Sequence, residues 1–163
     1  MNIFEDFDFS ILDSPDFKED TVREEIILPI LKRLGYAASG TNKIIRSKNV
    51  SHPFVKVGSK KVPLTYIPDY LFEVENKYAW VLDAKAPNEE IKSGGHVEQT
   101  YFYSIHPEIR TDLFALCNAR EFIVFNKHSE MVLHFHVSEI NLHWEKLTAL
   151  LSPSAFKRQN LHI

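Results

Sequence analysis

Two short apolar runs separated by a polar pair constrain this chain more than any other feature. Asp69 to Glu75 and Tyr78 to Ala84 flank Asn76-Lys77, the pattern of a β-hairpin. In the second run Trp80, Leu82 and Ala84 alternate with Val81, Asp83 and Lys85, so the two sets face opposite sides of a sheet. Asp83 and Lys85 then share one face, while Ala84 turns into the protein. Pro68 precedes Asp69 at the start of the first run, and Pro87 ends the second. Once the strands pair, Asp69 falls beside Asp83 and Lys85. Two carboxylates and an ammonium at a strand edge suit the binding of Mg²⁺ and the activation of water against a phosphodiester. The plainer alternative is that Asp69 caps a turn and that Asp83 and Lys85 form a surface ion pair.

The other elements supply layers around this hairpin. A helix is predicted from Asp16 or Glu19 to Leu34, with Asp16 as N-cap, Glu19 three residues on and Gly35 just past its end. Val22, Ile26, Ile30 and Leu34 recur along one side, and Pro29 inside the helix predicts a kink. Lys43 to Val50 and Phe54 to Leu64 read as a basic hairpin or a long loop. A second helix spans about His96 to His106, stopped by Pro107. Strands follow at Asp112 to Cys117, Glu121 to Asn126 and Met131 to Val137, and Ser138 caps a last helix to about Leu151. The order α-β-β-β-α-β-β-β-α predicts an α/β fold, a mixed sheet flanked by helices.

The chain of 163 residues is 44% hydrophobic and 25% charged, which suits one soluble domain with a real core, residues 1–163. Within it, residues 1–14 read as an acidic arm docked through Phe4, Phe7 and Phe9, and residues 152–163 as a tail. No run is long enough to span a membrane, and the start is acidic and aromatic rather than a basic-then-apolar leader. The single cysteine, Cys117, reads as a buried thiol, and these features together predict a cytoplasmic protein. The net charge of −3 hides an asymmetry: residues 1–25 carry nine acids, and residues 26–68 carry none. That acid-free stretch includes Lys43, Arg46, Lys48, Lys56, Lys60 and Lys61, a segment that attracts a polyanion such as DNA or is simply a solvated basic loop.

In order, the chain contains Glu19-Asp20-Thr21-Val22-Arg23, Leu28-Pro29-Ile30-Leu31, Leu34-Gly35-Tyr36, Pro68-Asp69-Tyr70, Val81-Leu82-Asp83-Ala84-Lys85-Ala86-Pro87, and Gln99 with Tyr103. This arrangement resembles the PD-(D/E)xK nuclease superfamily, and within it the N-terminal nuclease domain of type I restriction enzyme motor subunits. The resemblance covers about Glu19 to Asn126. It implies a restriction-endonuclease-like fold and Mg²⁺-dependent cleavage of DNA, with Mn²⁺ as the natural substitute. Asp69 and Asp83 would be the metal ligands, and Lys85 would orient the attacking water or stabilise charge on the phosphate. It further implies a restriction or antiviral defence setting, as a homodimer or as a subunit of a larger complex. The rival within the same fold is a weakly active or inactive module that docks nucleic acid or a partner protein.

Three more residues belong to the expected site. At about 100° per residue, Glu19 lies on the same side of its helix as Val22, Ile26, Ile30 and Leu34, where it could reach a metal or its water, or else pair with Arg23 one turn on. Gln99 and Tyr103 share a face one turn apart, predicted to point away from a packing face of Val97, Tyr101 and Ile105. The resemblance makes them the extra motif beside the nuclease centre. Glu75-Asn76-Lys77 repeats the carboxylate–lysine spacing but falls in the hairpin turn, away from Asp69. His134, His136 and His143 lack the cysteine pair or HExxH spacing of a zinc site, and there is no Walker A loop or GxGxxG.

Overall fold

The computed structural model describes residues 2–157, so the expected tail beyond residue 157 lies outside the described residues. It contains a long first helix, α1 (residues 19–34), then α2 (Gly95–Ile105) and α3 (Ile140–Leu151). The strands are β1 (Asn42–Arg46), β2 (Phe54–Val57), β3 (Lys60–Pro63), β4 (Tyr70–Val74), β5 (Lys77–Ala84), β6 (Leu113–Cys117), β7 (Glu121–Asn126) and β8 (Met131–His136). Six of them form one mixed sheet in the order β1-β4-β5-β6-β7-β8, and β2 with β3 forms a separate two-stranded ribbon. Only β5 and β6 run parallel, joined by the crossover through α2; the other neighbours are antiparallel.

The expected α/β class stands, with a different strand order at the front. The basic stretch is neither one hairpin nor a loop. Its first part, β1, joins the edge of the main sheet against β4, with Arg46 opposite Tyr70. Its second part folds back on itself as the ribbon. The hairpin turn also shifts by one residue, to Glu75-Asn76. Both adopt positive φ, 51° and 65°, the mirror-image turn that matches strand twist.

Strand alternation divides the core in two. Tyr70, Phe72, Trp80, Leu82, Ala84 and Val124 pack on one side with Val22, Ile26 and Ile30 of α1 and Ile140, Leu147 and Leu151 of α3. Leu71, Val81, Phe114, Leu116 and Ile123 pack on the other side with Val97 and Tyr103 of α2. Residues 81, 83 and 85 share a side, so Asp83 is driven onto the α2 face of the sheet.

Helix α1 is not a kinked α-helix. Its middle, Val22–Ile27, is π-helical, with the Leu28 N–H donating to the Arg23 carbonyl five residues back. The wider turn ends immediately before Pro29, which has no N–H for a regular ladder and whose ring would clash with it. The N-cap is Lys18 rather than Asp16, and Thr21 Oγ1 accepts from the Lys18 N–H. Gly35 closes the helix as expected, at φ 113°. Ser138 falls inside a 3-10 turn, Val137–Glu139, that leads into α3 instead of capping it. In the arm, Phe4 is buried and Phe7 and Phe9 pack around it edge to face.

One polar thread ties the sheet to α3. Trp80 stacks on Phe72 at 3.9 Å, its Nε1–H donates to the Tyr36 hydroxyl, and that hydroxyl donates to the Leu151 carbonyl at 2.7 Å. Burial raises the Tyr36 pKa well above that of a free phenol, so the hydroxyl stays protonated. Tyr36→Phe strands a buried N–H and a buried carbonyl and should cost about 1–3 kcal/mol in urea denaturation. A change within error would mean that water replaces the hydroxyl.

Candidate active site

Asp69 sits between the loop that precedes β4 and the strand itself. Its carbonyl accepts from the Ser47 N–H just past β1, and its Oδ2 accepts from the Ala84 N–H at 2.9 Å. The first bond fixes its backbone to the sheet edge, and the second points its side chain at the end of β5. Asp83 occupies that end, opposite Leu116 of β6, with no solvent exposure. Its Oδ1 accepts from the Tyr66 hydroxyl at 2.8 Å and from the Asp69 N–H at 3.2 Å. Lys85 follows, with its N–H on the Cys117 carbonyl, and is buried as well.

The second oxygen of Asp83 is the informative atom. Lys85 Nζ lies 3.1 Å from Oδ2, near enough for an ion pair. Beyond that ammonium, Oδ2 has no hydrogen-bond donor among the described residues. A buried carboxylate oxygen is costly unless a cation or a water meets it, and Lys85 supplies that charge here. Lys85 Nζ also sits over the Tyr66 ring, 4.2 Å from its centroid. The sequence-predicted Asp69, Asp83 and Lys85 are therefore brought together.

Two members of the site were not expected. Tyr66 orients Asp83 and carries Lys85 on its ring, although nothing in its spacing from Asp69 marks it. Arg23 Nη1 lies 3.0 Å from Glu19 Oε2 and 3.3 Å from Asp69 Oδ1. The i, i+4 spacing of Glu19 and Arg23 reveals the first contact; only the fold reveals the second. Glu19 thus adjoins the site through Arg23 rather than by turning into the sheet.

Tyr103 corrects the expected helix face. It is buried, and its hydroxyl donates to the Lys48 carbonyl at 2.6 Å. The packed face of α2 is Val97, Thr100, Tyr103 and Ser104. Gln99 is half-buried, and neither it nor Tyr103 is among the hydrogen-bond partners of Asp69, Asp83 or Lys85. Tyr103 holds the basic segment against the α2 face of the sheet, a structural task.

Of the basic residues, Lys43 faces Glu73 at 3.8 Å and Arg46 lies over the Tyr70 ring. Lys48 gives its carbonyl to Tyr103. On the ribbon Lys56 stands directly opposite Lys61, and Lys60 is beside them; all three are exposed. Like charges facing each other across a ribbon are unfavourable without an anion between or near them.

Burial pushes the Asp83 carboxyl up to about 7; Lys85 opposes the shift and Asp69 adds to it. An acid whose folded pKa exceeds its unfolded 3.8 keeps its proton longer in the folded state. Folding is therefore favoured below the folded pKa, and stability falls as pH rises from about 4 to about 7, by at most about 1.4 kcal/mol per pH unit. The stability difference between the wild type and Asp83→Asn, measured without metal, should fall over that window and flatten above it. A flat difference from pH 4 to 8 would contradict the shift.

Among the described residues no three His, Cys, Asp or Glu side chains form a group that could hold a metal ion. Two carboxylates nevertheless fit Mg²⁺, which commonly takes one or two and completes its shell with water and substrate oxygens. Asp83 Oδ2, facing Lys85, and Asp69 Oδ1, facing Arg23, are the oxygens that suit it. None of the helices among the described residues is long and apolar enough to cross a membrane. No family model matches the chain, and no curated protein or solved structure matches it either.

Proposed function

We propose that this chain is a Mg²⁺-dependent deoxyribonuclease of the PD-(D/E)xK kind, built on a restriction-endonuclease-like sheet. The observation that carries the reading is the convergence of Asp69, Asp83 and Lys85, with Asp83 Oδ2 buried and facing the Lys85 ammonium. Asp69 and Asp83 would hold the cation. When bound, it would acidify water and offset charge gathering on the phosphate.

The chain's own residues do the rest. Tyr66 and the Asp69 N–H fix Asp83 Oδ1, which leaves the other oxygen turned away from them. Lys85, held over Tyr66, supplies a fixed positive charge where the phosphate would lose its leaving group or meet water. Arg46 and the ribbon residues Lys56, Lys60 and Lys61 would grip the sugar–phosphate backbone, with affinity that falls as salt rises. The resemblance in the motif residues extends the proposal to a restriction or defence role, as a homodimer or a subunit of a larger complex.

Incubation with supercoiled plasmid tests the reading. Nicking or linearisation in Mg²⁺ that stops in EDTA is expected. The specific observation favouring a second reading is Arg23, which already supplies a cation to Asp69. On that reading the chain docks nucleic acid without cutting, and salt-sensitive DNA binding with no nicking in Mg²⁺ or Mn²⁺ would select it.

A further inference from the structure

Arg23 and its partner Glu19 are charged neighbours of the site that the nuclease reading leaves without a task. Asp69 Oδ2 accepts from the Ala84 N–H, and Oδ1 is the oxygen turned towards α1. That oxygen already faces Arg23 Nη1 at 3.3 Å, and the same nitrogen faces Glu19 Oε2 at 3.0 Å. A divalent ion arriving at Asp69 would meet an oxygen that is already paired with a cation.

Exposure rises from the buried pair outwards. The side chains of Asp83, Lys85, Asp69, Arg23 and Glu19 are 0%, 8%, 13%, 23% and 39% exposed. Arg23 is thus more exposed than Asp83, Lys85 and Asp69 and less exposed than Glu19. It springs from the π-helical turn of α1, a conformation that is uncommon within helices and concentrates at functional sites. Its planar fork suits phosphate as well as carboxylate.

We infer that Arg23 is a resident cation that competes with the divalent ion for Asp69 Oδ1 and, once displaced, pairs with the substrate phosphate while Glu19 tethers it. The inference rests on the nuclease reading of the same site. Loading then exchanges one partner of Asp69 for another and frees a guanidinium on the more exposed side of the site, for the polyanion. No bond is made or broken in the exchange; only ion pairs change hands.

Mn²⁺ titration by calorimetry or electron paramagnetic resonance tests the first half, on the wild type, Arg23→Gln and Asp83→Asn. Arg23→Gln should bind Mn²⁺ about three- to tenfold more tightly, the worth of one partly buried ion pair. Binding that is unchanged or weaker in Arg23→Gln, while Asp83→Asn abolishes it, overturns the Arg23 inference alone. Absence of Asp83-dependent Mn²⁺ binding in both the wild type and Arg23→Gln overturns the nuclease reading and this inference with it. The second half is read as DNA affinity in Ca²⁺ across a salt series. Arg23→Gln should weaken it about three- to tenfold and lower the salt slope by about one. An unchanged affinity and slope would refute the phosphate role.

Discussion

Asp83→Asn should reduce Mg²⁺-dependent plasmid cleavage by about a thousandfold or more and abolish Mn²⁺ binding, while the protein still folds. The amide keeps an oxygen for the Tyr66 hydroxyl and the Asp69 N–H, so the local hydrogen bonds survive. What it removes is the negative charge that faces Lys85 Nζ at 3.1 Å. A thousandfold corresponds to about 4 kcal/mol of transition-state stabilisation, within the several kcal/mol expected when a Lewis-acid centre is lost. Asp69→Asn should act in the same direction and retain its bond to the Ala84 N–H. Cleavage that persists in both variants would assign the activity to other residues or to a contaminant.

Lys85→Met should cost about 3–5 kcal/mol at pH 8, because it leaves a fully buried carboxylate facing no cation. The loss should shrink near pH 6, since Asp83, with its pKa pushed up to about 7 chiefly by burial, can take a proton instead of remaining charged. Adding Asp83→Asn to Lys85→Met should recover part of the loss, because both charges are then gone and the Tyr66 and Asp69 bonds remain. Urea denaturation of the four proteins in a double-mutant cycle measures the coupling. A double variant as unstable as the sum of the two singles would mean that the pair does not interact in the folded protein. Lys85→Met should also cleave poorly in either case, so the stability and activity losses separate only with the double variant, which regains stability but not cutting.

The central hairpin was legible because strand alternation is a local rule. Trp80 and Leu82 on one side fix Val81, Asp83 and Lys85 on the other, and the aspartate and lysine follow without knowledge of the rest of the chain. The apolar face of α1 was legible for the same reason, but its π-helical turn was not. Pro29 signals that the regular ladder fails, yet it does not say whether a kink or a widened turn relieves the clash. Tyr103 was misplaced because the buried face of α2 contains small hydroxyl residues. Thr100 and Ser104 satisfy themselves on the His96 and Tyr101 carbonyls, so they can be buried at low cost, and apolar periodicity does not count them.

The partition of the basic stretch was hidden for a different reason. Whether Lys43–Arg46 pairs with a neighbour or joins β4 depends on an edge that forms almost thirty residues later, as the Ile44–Phe72 register shows. Arg23 and Tyr66 belong to this class too. Each reaches an aspartate across a gap that only the folded sheet closes, 46 residues for Arg23–Asp69 and 17 for Tyr66–Asp83. The sequence marks the residues that carry charge, but the partners that orient them depend on topology.

The most direct test is anomalous diffraction from crystals grown or soaked with Mn²⁺. One Mn²⁺ peak should lie about 2.1–2.3 Å from an oxygen of Asp69 and an oxygen of Asp83, with Lys85 alongside. Crystals soaked at saturating Mn²⁺ that show no peak at these two carboxylates, with Arg23 still on Asp69, would contradict a metal-dependent nuclease centre.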